Sequence, residues 1–197
     1  MIIVVAALKG GVGKTTTSVY LSALAGARNA STLVDADPQA SAADWFESVE
    51  DDHLASVSLV EAPTDRLLLK VLDRVESEEV VVVDTPPGNE RLLAKAMERA
   101  DVVVVPTRIG GVETVRVEAV LDVVPRKVPV GLVICSARTY TRDYTETVDA
   151  WTEANVEVWG TIPERVSIAS GPESALAPDG LDAYRTVWRR VLRAARG

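Results

Sequence analysis

Lys9-Gly10-Gly11-Val12-Gly13-Lys14-Thr15-Thr16 is the stretch that decides the fold. It follows the apolar run Ile2–Ala7 and precedes a helical pattern over about 14–26, so a glycine-rich turn joins a strand to a helix. Gly10, Gly11 and Gly13 admit dihedrals closed to other residues and let backbone N–H groups come close to phosphate oxygens. Val12 and Thr16 are read as nucleotide-binding members of the same loop. The helix that follows adds the partial positive charge of its N-terminus. Lys14 is placed to reach β- and γ-phosphates, and the Thr15 hydroxyl to ligate Mg²⁺. In the standard loop, G-x-x-x-x-G-K-[ST], a glycine stands five residues before the second glycine. Here that residue is Leu8, and Lys9-Gly10-Gly11 stands in for the missing glycine.

Working outward, short β-branched runs recur at Ile2–Ala7, Thr32–Val34, Val57–Val60, Val80–Val83, Val102–Val105, Val130–Cys135 and Val156–Trp159. Runs this short and apolar on both faces suit strands of a buried parallel sheet. Helical patterns alternate with them over about 14–26, 39–48, 64–76, 89–99, 112–124, 141–154 and 179–195. Strand and helix in alternation imply right-handed crossovers and a three-layer α/β fold: a mostly parallel twisted sheet of about seven strands, with helices on both faces. Neither a repeat nor a low-complexity linker interrupts the pattern, so residues 1–197 are expected to form one domain. Ser170-Gly171-Pro172-Glu173 reads as a loop before the last helix, 179–197.

Two more strand ends carry acids, Leu33-Val34-Asp35-Ala36-Asp37-Pro38-Gln39 and Val80-Val81-Val82-Val83-Asp84-Thr85-Pro86-Pro87-Gly88. The C-terminal edge of a parallel sheet lines the ligand crevice, so both fall on the side of the phosphate loop. Asp84, after four valines, is expected to hold a water of the Mg²⁺ shell and to hydrogen-bond Thr15. Asp35 is read either as support for the metal or the loop, or as a strand-end turn.

Together these segments resemble the deviant Walker A ATPases of the ParA/MinD family, which carry K-G-G-x-G-K-T-T at the loop and D-P-Q after the second strand. Ser41-Ala42-Ala43-Asp44-Trp45, and Asp84-Thr85-Pro86-Pro87-Gly88 followed by Ala100-Asp101-Val102-Val103-Val104-Val105-Pro106, resemble the small ParA branch in particular. The likeness spans roughly residues 1–165. It implies a P-loop NTPase that binds ATP with Mg²⁺. It also implies that Lys9 reaches across a nucleotide-sandwich homodimer to the partner's phosphates, and that Asp37 positions or activates the attacking water. Relatives read adenine with a segment after the sixth strand, often through an Asn; here Val133-Ile134-Cys135-Ser136-Ala137-Arg138 lacks it. Gly160-Thr161-Ile162-Pro163-Glu164-Arg165 resembles the segment that packs on the base, with Pro163 and Glu164 as the implied contacts.

The chain has 21 Lys and Arg against 29 Asp and Glu, a net charge of −8 that excludes a generally basic nucleic-acid binder. The charge is unevenly spread. Ala183 to Gly197 holds Arg185, Arg189, Arg190, Arg193 and Arg196 and no acid, which leaves −13 on the rest. Helical spacing puts Arg185, Arg189, Arg193 and Arg196 in one stripe beside an apolar stripe of Tyr184, Trp188, Val191 and Ala195. In ParA-like proteins a basic C-terminal surface binds DNA without sequence preference, a salt-dependent contact with phosphates. The other reading of these arginines is a terminal helix whose cations favour its dipole while it packs on the sheet.

One cysteine, Cys135, excludes an intrachain disulfide framework and any site needing several thiolates, and it fits a reducing cytoplasm. Cys135 itself reads as a small buried apolar residue, and His53 as exposed with no catalytic partner. No apolar run approaches the ~20 residues that span a bilayer, and the first eight residues lack the features of a signal peptide. The expectation is a cytoplasmic, nucleoid-associated partition ATPase that dimerises on ATP, binds DNA and answers to a ParB-like or adaptor protein. Because the sequence starts at the first strand, an N-terminal helix-turn-helix is not expected. The alternatives are a MinD-like membrane-associated ATPase, with Trp188, Val191 and Leu192 at an interface, or a small-molecule kinase or ligase.

Overall fold

Each of the seven apolar runs becomes a strand. In the computed structural model, which describes residues 1–169, 171 and 175–197, these are β1 (Ile2–Val5), β2 (Ser31–Asp35), β3 (Val57–Glu61), β4 (Val80–Asp84), β5 (Val102–Thr107), β6 (Val130–Ala137) and β7 (Val158–Pro163). They form one sheet in the order β3-β2-β4-β1-β5-β6-β7, and every pairing is parallel. The intervening helices are α1 (Lys14–Gly26), α2 (Ser41–Ser48), α3 (Asp65–Leu72), α4 (Glu90–Met97), α5 (Gly111–Leu121), α6 (Arg142–Glu153), the single turn α7 (Val166–Ala169) and α8 (Pro178–Ala194). Of the loop expected before the last helix, Gly171 is described; Ser170, Pro172 and Glu173 lie outside the described residues.

Side chains alternate across a strand, so a sheet covered on both faces needs two apolar layers. Ile3, Val5, Leu33, Val82, Val104 and Val133 face one layer with Leu21 of α1, Trp45 of α2, and Tyr184, Val187 and Val191 of α8. Ile2, Val4, Val34, Val81, Val83 and Val103 face the other, with Leu68 of α3, Leu92 and Met97 of α4, Val117 of α5 and Trp151 of α6. Strands β1, β2, β4 and β5 are buried throughout. The edge strand β3 is not, because nothing pairs beyond it, and its Ser58 and Glu61 are exposed.

Several boundaries differ from the sequence reading for identifiable reasons. β7 starts at Val158 and not Val156, because the Val156 amide donates to the Trp151 carbonyl at 2.9 Å and closes the end of α6. α3 stops at Leu72, where the Asp73 amide bonds back to Leu69 and Val71. In α8 the buried stripe is Leu181, Tyr184, Val187, Trp188 and Val191. Ala195, expected in that stripe, is exposed because the helix ends at Ala194.

Trp159 of β7 packs flat over β6 at a position where only glycine fits. A Cβ on Gly131 would lie 2.0 Å from Cδ2 of the indole. Gly131→Ala is therefore expected to cost about 3 kcal/mol as ring and strand are forced apart, read as a lowered midpoint in thermal or urea unfolding.

Candidate nucleotide site

Parallel strands all end at one edge of the sheet, and the site is assembled there. The register sets Val5 beside Asp84 and Asp84 beside Asp35, so the loop after β1 and both acidic strand ends are neighbours. The Thr85 hydroxyl donates to the Val5 carbonyl at 2.8 Å and ties the loop after β4 to β1.

The loop after β1 turns at Gly11 (φ 74°) and Gly13 (φ 100°), both in the left-handed region. At Gly13 the backbone also passes close to β6, since a Cβ there would sit 3.1 Å from the Cys135 Sγ. Gly13 caps α1, and no acidic residue occupies the first turn of that helix, so its positive end is left for an anion. Lys14 is 7% exposed and its Nζ donates to the Lys9 carbonyl at 2.9 Å. Burial lowers its pKa, while Asp84 and then Asp37 pull it back up. An ammonium strung along the loop in this way is held ready for phosphate oxygens.

Thr15 Oγ1 donates to Asp84 Oδ2 at 2.7 Å, as expected, and Ser18 Oγ donates to Oδ1 at 3.1 Å. Asp84 is 1% exposed, and burial raises its pKa to about 7 against the two hydroxyl bonds and the Lys14 charge. An isolated carboxylate so far from water needs a cation to stay ionised. Among the described residues no three His, Cys, Asp or Glu side chains converge as a metal cage. Thr15 and Asp84 nevertheless fit Mg²⁺, which takes few protein ligands and fills its shell with waters and phosphate oxygens.

Asp35 has a different task. Its Oδ1 accepts from the Asp37 amide at 3.0 Å, and its Oδ2 from Ala42 and Ala43 at 2.9 and 3.0 Å. Both oxygens thus accept from backbone amides of a turn and of the start of α2, the geometry of a strand-end turn. The turn it makes presents Asp37, half-buried, whose Oδ1 accepts from the Gln39 amide at 2.9 Å.

These groups surround an open cleft of about 420 Å³. Gly10, Gly13, Lys14, Thr15 and Thr16 form one wall and Asp37 and Gln39 another. Cys135, Ile162, Pro163, Ile168 and Ala169 supply an apolar end suited to a flat ring. Pro163 lines this end of the cleft, whereas Glu164 pairs with Arg138 and does not line it. The Val12 side chain is likewise turned into the core on the other side of the loop. Lys9 also points away from its own cleft, to Glu113 of α5 at 2.8 Å, and the same Glu113 oxygen accepts from Arg116 at 3.1 Å.

Arg108, Arg165 and Tyr184 line the cleft and were not singled out as its walls from sequence; Ser136, within the segment expected near the base, lines it too. Arg108 follows the last residue of β5, so the rule that ligands meet C-terminal strand ends would have found it. Ser136 has φ 51° at an irregularity in the β6–β7 register, a backbone kink that turns its side chain toward the cleft. Tyr184 arrives from α8. Its hydroxyl is 3.0 Å from Thr17 Oγ1, its ring stacks on Tyr20 at 4.8 Å, and the Tyr20 hydroxyl accepts from the Ala177 amide at 3.1 Å.

The geometry defines a phosphate-binding α/β domain. The chain belongs to the CobQ/CobB/MinD/ParA nucleotide-binding domain family, whose pattern it matches over residues 3–178. It is 45% identical over 100 residues to maintenance of carboxysome distribution protein A of Gloeobacter kilaueensis, spanning 50% of this chain and 45% of that one. The chain therefore covers less than half the length of that relative. It is 27% identical to the chromosome-partitioning ATPase Soj of Thermus thermophilus, over 93% of this chain and 92% of Soj. A plasmid partition protein of Borrelia burgdorferi bound to AMPPNP superposes with a TM-score of 0.79 over 98% of both chains. At 22% identity that match speaks to the fold.

Because folding lifts the Asp84 pKa from the ordinary carboxylate value of 3.8 to about 7, the folded state binds the extra proton over that interval. The stability this contributes is present at low pH and is lost as pH rises through about 7. In metal-free buffer the melting temperature should fall between about pH 4 and about pH 7 and level off above that, and Asp84→Asn should flatten that slope; equal slopes would refute the assignment.

Proposed function

We propose that this chain is a partition or positioning ATPase of the ParA/MinD type, hydrolysing ATP to ADP and phosphate with Mg²⁺. The observation that carries the reading is the buried Asp84 joined through Thr15 to a glycine loop that also holds Lys14, with Asp37 across the same cleft. The loop amides and Lys14 bind the β- and γ-phosphates, and the purine lies against Ile162, Pro163 and Ile168. Thr15 and, through water, Asp84 hold Mg²⁺, which when bound supplies positive charge to the phosphate oxygens. Asp37 orients a water for in-line attack on the γ-phosphorus. The new bond forms from that water as the bond to the bridging oxygen breaks and ADP leaves.

Lys9 serves the phosphates of a second copy in an ATP-bound homodimer. Its contact with Glu113, outside its own cleft, supports a role other than binding its own nucleotide. The exposure of Arg185, Arg189, Arg190, Arg193 and Arg196 supports contact with DNA phosphates, with a steep salt dependence. A ParB-like or adaptor partner would then set when hydrolysis releases the cargo, and the chain would work on the nucleoid in the cytoplasm. Of the residues expected at a membrane surface, Trp188 and Val191 are buried in the core and Leu192 is partly buried against it, which weighs against the membrane-surface alternative. No helix among the described residues is long and apolar enough to cross a membrane.

Two substitutions test the reading. Lys14→Ala should reduce binding of a fluorescent ATP analogue at least about a hundredfold. Asp37→Ala should keep that binding, lower phosphate release by about a hundredfold or more, and accumulate an ATP-bound dimer seen by light scattering. Undiminished ATP turnover in both variants would overturn the mechanism.

A further inference from the structure

At the N-terminal edge of the sheet, opposite the nucleotide cleft, lies a second and larger groove of about 630 Å³. Arg190 and Arg193 of α8 form one wall, and Pro129, Val130, Val156 and Trp159 supply apolar surface. Glu157, whose carboxylate is engaged by the Trp159 indole N–H, leaves the lining with one net positive charge. Val130 opens β6 and Ser136 is near its end, so about 20 Å of strand separates the two cavities. We propose that this groove docks a segment of a partner protein that carries acidic side chains next to an apolar one.

Two independent features point to such an occupant. The first is charge. Arg185 pairs with Asp182, and Arg189 donates to the Arg185 carbonyl and to Thr186. Arg190 and Arg193 have no ion-pair partner among the described residues, so two guanidinium forks beside the groove are left for external carboxylates, which they match in geometry. The second is the apolar floor. Val130 and Val156 are only partly buried although they pack against the core, leaving hydrocarbon facing the groove. That floor is fixed in place: the Trp159 indole lies over Gly131, and its Nε1 donates to Glu157 Oε2 at 2.9 Å. A rigid apolar groove is a usual seat for peptide side chains. Arg190 and Arg193 are two of the five arginines proposed above for DNA, but a duplex backbone would leave the apolar floor beside them unfilled. Within the groove a protein segment therefore fits better than DNA, and the two occupants compete for these arginines.

The test uses the full chain and short fluorescent peptides. One contains glutamates around a pair of leucines, a second replaces the glutamates by lysine, and a third replaces the leucines by serine; a DNA duplex is the fourth probe. The first peptide is expected to bind, to shift the Trp159 indole N–H signal in NMR spectra, and to outbind the other two peptides by about tenfold or more. Arg190→Glu combined with Arg193→Glu, and separately Val156→Asp, should each weaken it by a similar factor, with melting curves confirming that both variants fold. The proposal is overturned if the first peptide does not bind, if it binds the surface double variant as well as the original, or if the duplex alone moves the Trp159 signal.

Discussion

A carboxylate kept from water is the constraint on which the site depends. Asp84 ends the most valine-rich strand of the sheet, so its position follows from burying Val80–Val83 on both faces. Its charge is unwelcome there, and Thr15 and Ser18 are the groups that reach it from α1. That contact ties the helix after the glycine loop to the centre of the sheet. The loop between them is then held at both ends, with Gly11 and Gly13 absorbing the turn. The strain of a deeply placed acid and the fit for a divalent cation are one fact seen from two sides.

The second acidic strand end divides its work differently. Asp35 spends both oxygens on backbone amides, and in doing so shapes the turn that carries Asp37 to the cleft. A rigid acid supporting a freer one suits the water-orienting role proposed for Asp37, because the second keeps an oxygen available while its backbone is fixed. Lys9 shows the complementary case. Its ammonium sits beside Glu113 and Arg116, on the side of the loop away from the nucleotide cleft.

Much of this was legible in the sequence, and the reasons for the rest are local. Strand and helix alternation, the glycine loop, Thr15 and Asp84 are all encoded within single short segments, where propensity and spacing speak directly. Asp35 was ambiguous because its partners, Ala42 and Ala43, contribute only backbone amides that a sequence cannot display. Glu164 was placed by its neighbours in a motif, while its actual partner, Arg138, lies on another strand end. Ala195 continued a helical period past the point where the helix stops. Arg108 and Tyr184 reach the cleft from β5 and α8, and only the strand order brings them there.

The stack of Tyr184 on Tyr20, with the hydroxyl bond from Tyr184 to Thr17, makes the last helix part of the architecture that supports the phosphate loop. One face of α8 carries the arginines and the other helps floor the nucleotide cleft. Shortening the chain from its C-terminus to strip away positive charge would therefore also unroof a tyrosine pair and loosen α1. A truncated form that fails to hold DNA would not by itself distinguish lost cations from a damaged ATP pocket. Charge reversal on the outer face alone separates the two contributions.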